Sequence, residues 1–301
     1  TRKVLGSTPS ARTLRQAQGK HMNKTKIGFI GQGFVGKNYA DDFEARGFTV
    51  IRYAKEKPYN KNKDAIKDCE VVFVAVPTPT TPKGYDASII RMVLPLTGIS
   101  KIVVLKSTIF PGLTEKIQEE FPDRIILNSP EFLSEATARH DASHPFVNIV
   151  GVAKETLKHK KAAKLAHSVL PKAPENFTVK SIEAEIIKYS HNCSGYTQII
   201  FFNLMYDLSQ KMGANWKTIE EAIKVDPFIP TRYASPVHKS GRGAGGHCFI
   251  KDFAAFREVY EKMVTDQSGV LILQSMEKKN IELLYSSDKD VEILEGVYNT
   301  S

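Results

Sequence analysis

KIGFI at Lys26–Ile30 runs directly into GQGFVG at Gly31–Gly36, and the reading of that junction decides the fold. The first five residues are a short β-rich run. The mixture KNYADDFEARG that follows has the polar and apolar alternation of a helix. Strand, G-x-G-x-x-G and helix in this order let the chain turn tightly, bring its backbone up to a pyrophosphate, and pack the helix closely on the strand. The expectation is an α/β fold, a doubly wound (Rossmann-type) parallel sheet, with Gly31, Gly33, Phe34, Val35 and Gly36 at a dinucleotide; the alternative is a purely structural glycine turn.

Working outward, Phe48–Arg52 reads as the next strand. Such a strand ordinarily ends in a carboxylate for the adenosine ribose 2′-hydroxyl, yet here the end is Arg52-Tyr53-Ala54-Lys55-Glu56. NAD and NADP therefore both stay open. Arg52 and Lys55 either meet a 2′-phosphate or are solvated surface charges. EVVFVAV at Glu70–Val76 is a nearly continuous apolar run, as expected of a parallel strand buried on both faces. It stops at Pro77-Thr78-Pro79-Thr80, a stiff loop at the carboxyl end of a strand, where open α/β sheets bind ligands. KIVVL at Lys101–Leu105 ends in Ser107-Thr108, with Pro111-Gly112 opening a helix, and Arg124–Leu127 ends in Asn128–Glu135. Three strands thus deliver Thr, Ser or Glu to one rim, although Thr114 and Ser134 are equally readable as helix caps.

Phe146–Val152 and Phe177–Lys180 read as strands flanking a basic helix at Lys154–Val169, whose lysines and histidines form a solvated face. Ser181–Met212 reads as one long helix, capped by Ser181 and ended by Gly213. It is apolar on most faces, so it is buried by its own chain or by a partner, and a homodimer through this helix is expected. Lys188 and Asn192, four apart, share one face of it; the lysine is either half of an ion pair or a catalytic group. Trp216–Val225 is a further helix, Asp226–Gly246 a long loop, Lys251–Met263 and Asp266–Leu284 two closing helices, and the polar tail beyond Ser286 frays.

Within the loop, Gly245-Gly246-His247-Cys248-Phe249-Ile250-Lys251-Asp252 sets a cysteine just before a helix N-terminus, where the dipole and Lys251 favour the thiolate. The glycines at 241, 243, 245 and 246 clear side chains so that a substrate carbon can approach, as a covalent nucleophile requires. A glycine turn with a bystander cysteine is the alternative.

Residues 1–22, ending Gly19-Lys20-His21-Met22, carry five basic and no acidic residues and no apolar periodicity. They read as an appended leader with a cloning scar, expected to be disordered. They supply five of the formal +9, and the remaining +4 makes no case for a nucleic-acid partner. No apolar run is long enough to span a membrane, so a soluble, cytoplasmic chain is expected. Three widely spaced cysteines, Cys69, Cys193 and Cys248, suggest neither a disulfide framework nor a zinc site. The domains expected after the leader are 23–178, dinucleotide-binding, and 179–301, all-helical.

Taken together, GQGFVG (31–36), VPTPT (76–80), STIFPG (107–112), SPEFLSE (129–135), AEIIKYSHN (184–192) and GRGAGGHCFIKD (241–252) resemble the UDP-glucose/GDP-mannose dehydrogenase family. Its members are NAD-dependent, four-electron oxidases of sugar nucleotides. The resemblance implies that Cys248 is the nucleophile, that Lys188 and Asn192 stabilise the reacting oxygen, and that Thr108, Glu131 and Asp252 handle water and protons. It implies NAD against Gly31, Gly33, Phe34, Val35, Gly36, Pro77, Thr78, Thr108 and Glu135, and the sugar against Glu131, Phe132, Leu133, Lys188, Asn192, Gly245 and Arg232. No metal is implied. The chain departs from the family in its missing ribose carboxylate and in Arg232-Tyr233-Ala234, where Arg-Ile-Gly is usual. The family also continues into a second nucleotide-binding-like domain, which this chain is expected to lack. The function expected is oxidation of a UDP-glucose-like primary alcohol to a uronic acid. The rivals are a two-electron hydroxyacid dehydrogenase using Lys188 and a catalytically silent binding protein.

Overall fold

The structure, a computed structural model, describes residues 25–239 and 241–298; the leader at 1–22 lies outside them. The chain divides into two compact units, one of residues 25–77 with 88–185, the other of 78–87 with 186–298.

The first unit is built on β1 (Ile27–Ile30), β2 (Val50–Tyr53), β3 (Val71–Val74), β6 (Ile102–Leu105), β7 (Ile125–Asn128), β8 (Val147–Val152) and β9 (Glu175–Lys180). They form one sheet in the order β2-β1-β3-β6-β7-β8-β9, parallel except where β7 meets β8. Every residue of β1, β3, β6 and β7 is buried, which is why these segments read as unbroken apolar runs. Helix α1 (Phe34–Ala45) returns from β1 to β2 and packs Phe43 between Phe29 and Phe73, with ring centroids 5.3 and 5.1 Å away. The chain then crosses to the other side of β1 for β3. The direction of winding therefore reverses at β1/β3, the position at which open sheets of this kind hold their ligands.

α2 (Ser88–Val93), α3 (Leu113–Glu120), α4 (Ala138–Ser143) and α5 (Leu157–Val169) complete the unit. α5 is not wholly a solvated face. His159 is buried, its Nε2 lies 2.8 Å from Gln118 Oε1 of α3, and burial lowers its pKa.

α6 (Ser181–Lys211) starts in the first unit and runs through the second. Ser181 does not cap it: its hydroxyl is buried without a hydrogen-bond partner, and Glu183 Oε2 accepts the Lys180 N–H instead. The carboxylate of Glu185 accepts N–H bonds from Gly112 (2.6 Å) and Thr114 (2.9 Å) and the Thr114 hydroxyl (2.5 Å). It thereby caps α3, whose N-cap is a glycine in the left-handed region.

The second unit adds α7 (Trp216–Val225), α8 (Gly246–Met263), α9 (Gln267–Ser286) and α10 (Val291–Tyr298), with two short hairpins. One pairs β4 (Thr80–Thr81) with β5 (Gly84–Tyr85); the other pairs β10 (Val237–His238) with β11 (Gly241–Arg242). Three expectations are corrected here. The stretch 226–246 is not featureless loop, since it holds β10, β11 and a 3₁₀ turn at Thr231–Tyr233. α8 begins five residues before Lys251. As far as Tyr298 the tail beyond Ser286 does not fray: Leu294 and Val297 share a buried cluster with Ile250, Ala254 and Leu284, because its apolar residues recur at helical spacing.

Burial raises the Glu185 carboxyl from an ordinary 4.5 to about 7, against the lowering effect of its three hydrogen bonds. A carboxyl that holds its proton to higher pH when folded makes the native state lose stability as pH rises, beginning above the ordinary value and complete above the raised one. Urea unfolding across pH 4.5–8 should therefore show a loss of about 2–3 kcal/mol that Glu185→Gln abolishes. An identical pH slope in both proteins would contradict this assignment.

Candidate active site

In the sheet unit the phosphate-loop glycines divide by cause. A Cβ on Gly31, whose φ is +92°, would lie 2.2 Å from the Ala75 carbonyl oxygen, and one on Gly36 would lie 2.0 Å from the carbonyl oxygen of Gly31. Both are demanded by the fold itself. A Cβ on Gly33 would meet nothing within 4 Å. Open space over the N-cap residue of α1 is what a pyrophosphate held by backbone N–H groups and the helix dipole requires, so these residues fit a dinucleotide. Phe34 stands half exposed beside Gly33, while Val35 packs on the sheet core. Phe34 also borders a cleft of ≈ 700 Å³ lined by Asn38, Glu135, Thr137, His140 and Ser143.

At the end of β2, Arg52 is neither a phosphate clamp nor a solvated charge. It is buried, with Nη1 2.6 Å from Asp41 and Nη2 2.7 Å from Glu44, both on α1. A third contact, 3.4 Å to Gln32 Oε1, holds it beside the glycine loop. Ala54, just beyond the end of β2, is buried.

β3, β6 and β7 are parallel neighbours, so their carboxyl ends share one rim. There the Ser107 hydroxyl accepts the Val76 N–H at 3.0 Å and donates to the Val76 carbonyl at 2.7 Å, tying the loops beyond β3 and β6. Thr108 follows, half-buried. Glu131 is buried, and its Oε2 accepts the Leu133 N–H at 2.7 Å. Phe132 stacks obliquely on Phe146.

In the helical unit, Lys188 and Asn192 are both buried on α6, one turn apart. Asn192 Nδ2 donates to Asp252 Oδ2 at 2.5 Å, and Lys251 Nζ pairs with Asp252 Oδ1. Lys251 is thus engaged with the carboxylate of the next residue. Thr80 of β4 donates to the Lys251 carbonyl at 3.0 Å. Cys248 is the third residue of α8, inside the first turn and not ahead of it. The early start has a tertiary cause: Asp290 Oδ2 accepts the Gly246 N–H at 2.8 Å and supplies the cap that Gly245 cannot. Of the three cysteines Cys248 is exposed, whereas Cys69 and Cys193 are buried. Burial pushes the Cys69 thiol up to about 11 and raises that of Cys193 as well.

Three of the four glycines do not clear space for substrate. A Cβ on Gly241 would lie 2.5 Å from Ser287 Oγ, on Gly243 3.0 Å from Asn280 Oδ1, and on Gly245 2.1 Å from Asp290 Oδ2. Asn280, Ser287, Lys289 and Asp290 carried no signal in the sequence, apart from an asparagine at an inward position of an apolar helix. Arg232 sits exposed in the 3₁₀ turn, its guanidinium 5.7 Å from the Tyr233 ring centre. Among the described residues no group of three or more His, Cys, Asp or Glu could hold a metal ion, and no helix is long and apolar enough to cross a membrane.

A doubly wound sheet unit with a glycine loop, continuing into a helical unit, defines a class of dinucleotide-binding protein. Residues 56–169 match the NAD binding domain of the UDP-glucose/GDP-mannose dehydrogenase family and residues 182–281 match its central domain; the chain belongs to that family. It is 30% identical over 217 residues to a putative UDP-glucose 6-dehydrogenase, YtcA, of Bacillus subtilis, covering 68% of this chain and 49% of that protein. It is 29% identical over 253 residues to UDP-glucose 6-dehydrogenase of Rickettsia typhi, covering 79% and 56%. The UDP-glucose dehydrogenase structure from Pyrobaculum islandicum shares the fold, with a TM-score of 0.73 at 22% identity over 93% of this chain and 73% of that one. The chain spans about half the length of these two curated relatives.

Proposed function

We propose that this chain carries the NAD-dependent, four-electron oxidation of the primary alcohol of a UDP-glucose-like nucleotide sugar to a uronic acid, through a thioester on Cys248. The observation that carries the reading is the exposed Cys248 on the α8 face that also holds Asp252, one turn on, bonded to Asn192 of α6. NAD, when bound, would supply the hydride acceptor, one molecule for each of the two oxidations in turn. Arg52 favours NAD over NADP, because a 2′-phosphate at this strand end would face the Asp41 and Glu44 carboxylates that already neutralise it.

The first oxidation takes a hydride from the alcohol carbon and a proton from its oxygen, leaving an aldehyde. An aldehyde has no alkoxide from which to expel a second hydride. The Cys248 thiolate adds to the carbonyl carbon, and the negative charge that arrives on oxygen is held by the Lys188 ammonium and the Asn192 amide. Loss of the second hydride leaves a thioester. Glu131 is assigned as the base that takes a proton from water, with Thr108 and Asp252 orienting it; hydroxide adds to the acyl carbon and the thiolate leaves. Phe132, Leu133, Gly245 and Arg232 are assigned to the sugar nucleotide, and Gly31, Gly33, Phe34, Pro77, Thr78 and Glu135 to NAD.

The reading includes a cytoplasmic homodimer. α6 exposes Phe201, Leu204, Met205 and Leu208 at spacings of three and four, an apolar stripe suited to a second copy of the same helix. Light scattering at micromolar concentration should give twice the chain mass, and Leu204→Glu should give the single mass. A wild-type monomer would refute the dimer.

With UDP-glucose as probe, two reduced nicotinamides should form per sugar consumed. Cys248→Ser should retain the first hydride transfer and slow the second at least a hundredfold, since a serine hydroxyl is a far poorer nucleophile than a thiolate. An unaltered two-hydride yield and rate in Cys248→Ser would move the chemistry to Lys188. No reduction by either protein would favour a silent binding role.

A further inference from the structure

We propose that the segment Ser287–Asp290, together with Asn280, is the positioning element that fixes the cysteine loop for attack; this rests on the reading of Cys248 as the nucleophile. The loop 241–246 packs against that segment at distances only glycine allows, as the close approaches to Ser287, Asn280 and Asp290 show. Its backbone groups are then taken up one after another by the same four side chains. Ser287 Oγ accepts the Arg242 N–H at 3.0 Å. Asn280 reproduces a strand partner, its Oδ1 accepting the Ala244 N–H at 2.7 Å and its Nδ2 donating to the Ala244 carbonyl at 3.1 Å. Lys289 Nζ donates to the carbonyls of Gly243 (2.8 Å) and Gly241 (3.5 Å). Asp290 closes the series on the Gly246 N–H, the first residue of α8.

The backbone of the segment is bent to make these contacts. Asp288 and Asp290 both lie in the left-handed region, at φ +49° and +52°, which non-glycine residues enter only when their surroundings hold them there. Lys289 and Asn280 are nearly fully buried. A buried lysine and a buried amide bonded to the carbonyls and an N–H of the loop are costly groups to retain for helix packing alone, which Leu283, Leu284, Leu294 and Val297 already provide. What they determine is the direction of the first turn of α8 and so of Cys248, two residues beyond the capped N–H. These four are positioning residues, acting through the loop and touching no substrate.

The test separates the two hydride transfers, because the first needs no sulfur. With NAD and UDP-glucose for the first, and the corresponding 6-aldehyde for the second, Asp290→Ala should slow the second transfer at least tenfold at saturating substrate. The first transfer and both KM values should stay within threefold. Asp290→Asn, whose side-chain oxygen still accepts the Gly246 N–H, should restore the second transfer to within threefold. Independently of activity, hydrogen exchange of the peptide 241–250 should quicken at least tenfold in Asp290→Ala and not in Asp290→Asn. Should Asp290→Ala fail to fold, Ser287→Ala, which removes a single acceptor, should show the same split in smaller degree. Equal losses in both transfers, or none in either, would overturn the positioning role. A Cys248→Ser protein with an unimpaired second transfer, or a wild type inert toward UDP-glucose, would instead overturn the reading beneath it.

Discussion

The carboxylate of Asp252 is 1% exposed, and a charge buried that deeply has to be met by partners or not formed at all. Asn192 from α6 and Lys251 from its own helix meet it. That requirement ties α8 to α6 at one point, and periodicity does the rest. Cys248 lies one turn before Asp252, and Lys188 one turn before Asn192, so the bond between Asn192 and Asp252 joins the two faces that carry the proposed chemistry. The aromatic stack of Tyr196 on Phe253, with centroids 3.8 Å apart, lies one turn further along α6 from Asn192 and next to Asp252.

A second constraint governs the ends of helices. α3 and α8 both begin after a glycine, which has no side chain to cap with, and both are capped by a carboxylate remote in sequence: Glu185 for α3 and Asp290 for α8. In each case the helix N-terminus is fixed by a different element, so its placement is a tertiary property and not a local one. At α8 the same carboxylate that starts the helix also fixes the turn that carries the Cys248 thiol.

How much of this could be read from residues alone follows from where each signal resides. The glycine loop, the buried strands and the long helix α6 are local patterns with a fixed period, and they were legible almost to the residue. Lys188 and Asn192 were legible as candidates because they stand four apart on one helix, Cys248 because glycines and a helix start flank it, and Asp252 through the motif that resembles the family's. The start of α8 was not: a double glycine reads as a helix breaker, and the cap that overrides it lies 44 residues away. α10 was hidden by the polar run Ser286–Asp290, which masks the apolar spacing behind it. The glycines around Cys248 showed that space was needed and not who fills it, and Ser287, Asn280 and Asp290 fill it. Arg52 was read from its own neighbours, whereas its partners Asp41 and Glu44 lie on the preceding helix.

The central claim is that carbon becomes bonded to the sulfur of Cys248. Its most direct test is the mass of the protein after incubation with NAD and UDP-glucose in a Glu131→Gln variant, in which loss of the base should leave the acyl group in place. The account expects an intact mass raised by one substrate-derived acyl group, located by peptide fragmentation on Cys248 and released by hydroxylamine. Reduced nicotinamide forming twice per sugar while Cys248 remains unmodified, or an adduct carried by any other residue, would contradict it.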